Sequence, residues 1–121
     1  MATDLRIPVM FIDPAAIAAI LRADDAVLAE DGIVAPPAGL VVRFSMAAVI
    51  HVRRCNCCAG RPAAVQALAT MFLARARGEG LFFRRVIAIV HDRTLVRRLL
   101  EDDVVTRARF CIIAAPTVTG F

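Results

Sequence analysis

The chain has 121 residues, of which 60% are hydrophobic, and a formal net charge of +4 at pH 7. This length fits one domain, covering residues 1–121, which can bury a large enough core to fold without stabilisation by a disulfide or a metal. Its longest apolar run, around residues 33–42, is broken by prolines and too short to span a membrane, and its N-terminus lacks the layout of a secretory signal.

The first half of the chain predicts a strand, a helix and two further strands. Residues 7–12 form an apolar run that ends at Asp13-Pro14, where an acid suited to cap a helix precedes a proline suited to its first position. Apolar side chains then recur at roughly helical spacing, at Ile17, Ile20, Leu21 and Leu28. After a loop rich in proline and glycine, residues 40–44 and 48–52 predict two short strands.

The clearest helix of the sequence opens at Pro62 and ends at Gly78 or Gly80. Its apolar positions are Val65, Leu68, Phe72, Leu73 and Ala76. We expect the bulky side chains within and after this helix to be core residues, namely Met71, Phe72, Phe82 and Phe83.

The remaining elements complete an alternating pattern. Residues 81–90 have the continuous apolar character of a strand covered on both faces. Asp92 can cap a further helix, Asp102 or Asp103 can cap a last short turn, and residues 110–115 predict the final strand. Strands joined by helices imply right-handed crossovers. The sequence therefore predicts an α/β fold with a mainly parallel sheet of about five strands and helices on both faces.

A cluster of thiols is the strongest chemical signal. Cys55, Cys57 and Cys58 lie within four consecutive positions, close behind His51. Thiolate sulfur is a preferred ligand of zinc and copper(I), and we expect thiols to stay reduced in the cytoplasm. A tetrahedral zinc site needs a fourth ligand, for which His51 is the nearest candidate and His91 or a water the alternative. The sequence predicts a metal site formed by Cys55, Cys57, Cys58 and His51.

Other interpretations of the cysteines stay open. Cys111, inside an apolar run, is expected to be a small core residue. The three clustered thiols could be idle, or they could be redox-active, because Cys55 and Cys58 have the spacing of a catalytic Cys-x-x-Cys pair.

The predicted topology places several of these segments together. In parallel sheets ligands gather beyond the carboxyl ends of the strands, and Asp13, Cys55–Cys58 and His91-Asp92 all follow predicted strands. We therefore expect three segments to converge on one cleft, with Asp13 and Asp92 serving as helix caps.

The order of motifs in the second half of the chain resembles a known family. A strand delivers Cys55-Asn56-Cys57-Cys58, and a helix, a strand, a helix and a strand follow, as in the first half of the GTPase domain of the CobW family of metal-handling G proteins. The matching pieces are Cys55–Cys58 and residues 62–77, 85–90, 94–103 and 109–115. The resemblance implies a truncated P-loop GTPase domain that binds a metal through its Cys-x-Cys-Cys motif.

Two segments depart from the family's pattern. Asp13-Pro14-Ala15-Ala16 stands in place of the phosphate loop, and the chain has no lysine, since all fifteen of its basic residues are arginine. Val90-His91-Asp92-Arg93 stands where the family carries its catalytic acid and glycine. We therefore expect neither nucleotide binding nor catalysis.

Two functions remain. One is a small metal-binding protein, with zinc as the expected ion, that stores, senses or delivers it. The other is a non-catalytic pseudo-GTPase module with idle thiols that dimerises or docks to a protein partner. The arginine doublets at residues 53–54, 84–85 and 97–98 are expected to form a solvated basic face. Nucleic-acid binding is disfavoured because Tyr and Trp are absent, and no membrane partner is expected.

Overall fold

The computed structural model of the chain describes residues 5–46 and 61–115. Its strands are β1 (Ile7–Phe11), β2 (Asp25–Glu30), β3 (Leu40–Phe44), β4 (Arg85–Ile89) and β5 (Phe110–Ile113). Its helices are α1 (Ile17–Ile20), α2 (Ala63–Ala76), α3 (Arg93–Asp102) and α4 (Val104–Arg109). Among these described residues, no helix is long and apolar enough to cross a membrane.

The five strands form one sheet in the order β3-β2-β4-β1-β5, and every pair of neighbours is parallel. Each parallel connection must cross back over the sheet, which explains why helices or long loops separate the strands. The predicted α/β fold with about five strands is confirmed, and the architecture is consistent with a P-loop-like α/β fold.

Side chains of the three central strands alternate between two cores. The core beneath α2, α3 and α4 contains Val9, Phe11, Leu28, Leu68, Met71, Phe83, Val86, Leu100 and Phe110, among others. The core on the opposite face lies beneath α1 and the 31–39 loop and contains Met10, Ile12, Ile17, Val27, Ala29, Ile87 and Ile89. The prediction of helices on both faces is confirmed, although α1 is a single turn.

Residues 25–30 form a strand, so the predicted helix extending to Leu28 is wrong. The helix ends at Ile20, and the backbone is already extended at Leu21. The four residues from Ala26 to Ala29 are fully buried, because both faces of β2 are covered. A strand that is covered on both faces has a continuous apolar run, and a run this short cannot be distinguished by its periodicity from part of a helix. Pairing with β3 and β4 fixes the strand.

Helix α2 largely follows its prediction. Pro62 is its N-cap, and Gly78, with φ +73°, lies just beyond its end. Val65 and Leu68 are fully buried, as expected, whereas Leu73 is 41% exposed. The five-residue step from Leu68 to Leu73 turns about 140° around the helix, which carries Leu73 off the buried stripe.

The aromatic pair before β4 is split between core and surface. Phe83 is fully buried, as predicted, but Phe82 is 58% exposed, so its assignment to the core is wrong. The guanidinium of Arg75 lies 3.9 Å from the centroid of the Phe82 ring, and its Nε donates to the Phe83 carbonyl at 2.7 Å. Burial, assisted by nearby Arg84, lowers the pKa of Arg75. Strand β4 itself begins only at Arg85, so the predicted strand over 81–90 is too long.

Candidate functional site

Polar side chains gather at the carboxyl edge of the sheet. Asp13 follows β1, Asp31 follows β2, and His91-Asp92 follow β4. The parallel register between β2 and β4, continued beyond its last pair, places Asp31 level with His91. The prediction that Asp13, His91 and Asp92 lie at this edge is confirmed.

His91 is held by the end of β2. Its backbone N–H donates to Oε1 of Glu30 at 3.0 Å, and its Nε2 lies 3.1 Å from the carbonyl oxygen of Asp31. Gly32, with φ +92°, makes the turn that brings this carbonyl to the ring. When Nε2 carries the proton and donates to Asp31, Nδ1 keeps a free lone pair that can bind a metal.

Of the two aspartates predicted to cap helices, Asp92 does so and Asp13 does not. Asp92 accepts a hydrogen bond from the Leu95 N–H at 3.0 Å and caps α3, as predicted. Asp13 accepts from the Ala15 N–H at 2.9 Å within a turn, while α1 begins only at Ile17. The prediction that Asp13 caps the first helix is therefore wrong, because the chain forms a turn before the helix starts.

The predicted metal ligands Cys55, Cys57, Cys58 and His51 lie outside the described residues, as does the predicted strand over 48–52. Within residues 5–46 and 61–115, no group of three or more His, Cys, Asp or Glu side chains could hold a metal ion. The fourth cysteine, Cys111, is half-buried on edge strand β5. Its placement in the final strand follows the prediction, while its burial is only partial.

The residues flanking the cysteine segment are well anchored. On one side, the Phe44 carbonyl at the end of β3 accepts a hydrogen bond from the Asp31 N–H at 2.8 Å. On the other side, the Arg61 carbonyl accepts from the Gln66 side chain at 2.8 Å. The chain leaves β3 at the carboxyl edge, and α2 leads back from there to the amino end of β4.

Three of the four arginines in the doublets at residues 84–85 and 97–98 pair with acids. Arg97 contacts Glu101 at 3.2 Å along α3, and Arg84 contacts Asp24 at 3.5 Å. These exposed pairs agree with the predicted solvated basic face. Arg85 departs from it, because its side chain is only 12% exposed and it binds a buried carboxylate on β2.

Two cavities were not indicated by any sequence motif. One, of about 220 Å³, lies near the amino ends of β1 and β5 and has Cys111 and Arg6 in its wall. The other, also about 220 Å³, lies at the carboxyl ends of the same strands and is lined by Arg93 and Arg97 of α3. Helical spacing alone could have shown that Arg93 and Arg97 share a face, but their position above β1 and β5 depends on the topology.

Comparisons with protein-family models, with curated proteins and with solved structures returned no significant match to this chain.

Proposed function

We propose that this protein binds a soft metal ion, with zinc as the first candidate, through Cys55, Cys57, Cys58 and His51. The ion is cargo or signal, and the protein stores, senses or delivers it in a reducing cytoplasm. As part of the same proposal, the protein is related to the CobW family. It keeps the clustered thiols of that family and lacks its phosphate loop.

The observation that carries the proposal is the spacing of three thiols within four residues. Ligands this close in sequence lose little further entropy when they meet on one ion, and thiolates bind zinc and copper(I) strongly. The position of the segment adds support, because it connects the end of β3 to the start of α2. Loops that leave the carboxyl ends of parallel strands are the usual ligand-binding segments of such folds.

His91 is a second candidate for the fourth ligand. It follows β4 at the same edge of the sheet, and its Nε2 lies 3.1 Å from the Asp31 carbonyl oxygen. Histidines that bind metals commonly donate their other ring N–H to a backbone carbonyl, which fixes the tautomer and the ring orientation. His51 is favoured by its nearness in sequence and His91 by this hydrogen bond.

The absence of GTPase chemistry is the second part of the proposal. A phosphate loop presents free backbone amides and a lysine to its nucleotide. The first connection here instead places the Asp13 carboxylate on the Ala15 amide, and the helix that follows has four residues. A negative charge at this position repels phosphate.

Native mass spectrometry of the reduced protein, loaded with zinc and then challenged with a chelator, tests the metal site. We expect a bound zinc ion that is lost when Cys55, Cys57 and Cys58 are all changed to Ser. Cys111→Ser is the matched control, because it removes the remaining thiol, which lies on β5, and should keep the zinc. Wild-type protein that stays folded and free of zinc would contradict the proposal.

The fourth ligand is tested by two single variants, His51→Ala and His91→Ala. Loss of a zinc ligand or of its hydrogen-bonded support lowers affinity by about tenfold or more. The variant that lowers zinc affinity by this amount identifies the histidine involved. If neither does, a water completes the site.

A non-catalytic interaction module is the alternative function, and one surface favours it. Val104 and Val105, adjacent at the start of α4, are 71% and 45% exposed. Neighbouring exposed aliphatic side chains are typical of a surface that contacts another protein. Sedimentation of the zinc-free protein tests it: a dimer that Val104→Asp dissociates would support homodimerisation, and a monomer would contradict it.

A further inference from the structure

The cavity at the carboxyl ends of β1 and β5 has the chemistry of a small binding site. Phe11, Ile112 and Ile113 line it on the strand side, and Arg93, Thr94 and Arg97 line it on the α3 side. We propose that this cavity binds a small organic carboxylate, with the carboxylate at the arginines and a short apolar body against Phe11 and Ile112.

The two guanidiniums supply the charge. Arg93 and Arg97 are one helical turn apart on α3, and both line the cavity. The Nε of Arg97 already donates to Glu101 at 3.2 Å, whereas Arg93 has no hydrogen-bond or ion-pair partner among the described residues. One unpaired guanidinium matches a single negative charge, and the planar fork of arginine fits a carboxylate.

The backbone amides of α3 are not the main donors in this site. The Asp92 carboxylate caps the helix and already accepts from the Leu95 N–H at 3.0 Å. A dianionic phosphate ester would meet this carboxylate and that of Glu101 close by, with one guanidinium left to neutralise it. The charge balance therefore favours a carboxylate over a phosphate.

The opposite wall is apolar and partly open. Phe11 is 8% exposed, Ile112 is half-buried and Ile113 is 41% exposed. An aliphatic chain of a few carbons would cover this surface and remove it from water, which favours binding. The cavity is smaller than the about 300–1,000 Å³ that holds a drug-sized molecule, so the ligand is short.

The carboxyl ends of parallel strands are also the usual place for ligands in such sheets. This proposal is independent of the metal site, because its residues lie outside the cysteine segment. It can therefore be tested on protein treated with a chelator, and its failure would leave the zinc proposal unaffected.

Backbone-amide NMR titrations with hexanoate, hexanol, acetate and hexyl phosphate test the site on the full chain. We expect hexanoate to cause saturable shifts at Arg93, Thr94, Ile112 and Ile113. Hexanol, which lacks the charge, and acetate, which lacks the apolar body, should each bind about tenfold more weakly. Hexyl phosphate should not bind more tightly than hexanoate.

Arg93→Gln should weaken hexanoate binding by about tenfold, because a hydrogen-bonded ion pair is lost. Arg98→Gln is the matched control, since Arg98 is exposed on the same helix and does not line the cavity. Its hexanoate affinity should stay within about twofold of wild type. Four results would overturn the proposal: no saturable shift with hexanoate, equal binding of hexanol, tighter binding of hexyl phosphate, or equal effects of the two variants.

Discussion

Arg85 of β4 donates to both carboxylate oxygens of Asp25 on β2, from Nε at 2.7 Å and from Nη2 at 2.9 Å. Asp25 is 1% exposed and also accepts from the Arg22 N–H at 2.8 Å. The same Arg85 Nη2 donates to the Ile20 carbonyl at 2.8 Å, where α1 ends. The pair therefore joins two neighbouring strands to the connection that leads into β2.

Removing one partner of this pair should be costly. Asp25→Ala leaves the Arg85 guanidinium, whose side chain is only 12% exposed, without its carboxylate partner, and we expect a loss of about 3–5 kcal/mol in the free energy of unfolding. Asp24→Ala is the matched control: it removes the partner of Arg84, whose side chain is 78% exposed, and should cost at most about 1 kcal/mol. Urea denaturation measures both, and equal losses would contradict a structural role for the buried pair.

The sequence predicted the fold best where an element had its own local signals. The capping acid Asp92 and the glycines after α2 placed those boundaries correctly. Strand β2 was missed because a four-residue apolar run fits a helical and an extended period equally well. Arg85 was assigned to the basic face for a related reason: its partner Asp25 is 60 positions away, and only the strand order brings them together.

In the candidate site, too, features with local sequence signals were predictable and features that depend on strand order were not. Position after a strand was enough to place Asp13, His91 and Asp92 at the carboxyl edge. The contact between His91 and the Asp31 carbonyl was not predictable, since it requires β2 to be a strand beside β4. The metal ligation by Cys55, Cys57 and Cys58 stays a prediction from sequence.

Truncating the buried face of α2 should destabilise the protein strongly. Leu68 is fully buried between α2 and the sheet, and Leu68→Ala should cost about 2–5 kcal/mol through lost apolar contacts and the cavity left behind. Leu73→Ala removes the same atoms from the same helix at a position that is 41% exposed, and should cost less than half as much. Thermal unfolding followed by circular dichroism compares the two variants. A larger loss for Leu73→Ala would mean that the packing of α2 is misassigned.

The turn after β2 should not tolerate a β-carbon. Gly32 has φ +92°, a conformation that L side chains rarely adopt, so Gly32→Ala should lower the free energy of unfolding by about 1–2 kcal/mol. Steric overlap is not the cause, since an added Cβ would lie 3.5 Å from Nε2 of His91. Gly32→Asn should cost less, because asparagine tolerates positive φ better. If chemical denaturation shows that Gly32→Asn is less stable than Gly32→Ala, the backbone argument is wrong.

Guanine nucleotide should not stabilise the protein. The proposal of a nucleotide-free domain predicts that GTP with Mg²⁺ leaves the Tm unchanged in differential scanning fluorimetry. A ligand present at about 100 times its Kd would add roughly 2.7 kcal/mol and raise the Tm by several degrees. A rise of this size would show that the chain binds nucleotide despite its lack of lysine.

Asp103 should make the stability depend on pH. Its carboxylate accepts from the Thr106 hydroxyl at 2.7 Å and from the Thr106 N–H at 2.9 Å, which caps α4. These hydrogen bonds, with a smaller contribution from Arg61 at 3.8 Å, hold the pKa of Asp103 below its usual value. The folded state therefore releases this proton more readily than the unfolded state.

The sign of the pH effect follows from this depressed pKa. The stabilising contribution is fully present above the unfolded pKa of about 3.9 and is lost as the pH falls through the folded pKa. We expect wild type to exceed Asp103→Asn in stability above about pH 5, with the difference shrinking toward about pH 2. Asp102→Asn, which removes the same charge at an exposed neighbouring position, controls for the change in net charge. Urea titrations across this range measure the free energy of unfolding of each variant relative to wild type. This difference should change more with pH for Asp103→Asn than for Asp102→Asn. If it changes equally with pH for the two variants, the Thr106 contacts do not hold the carboxylate in its charged form.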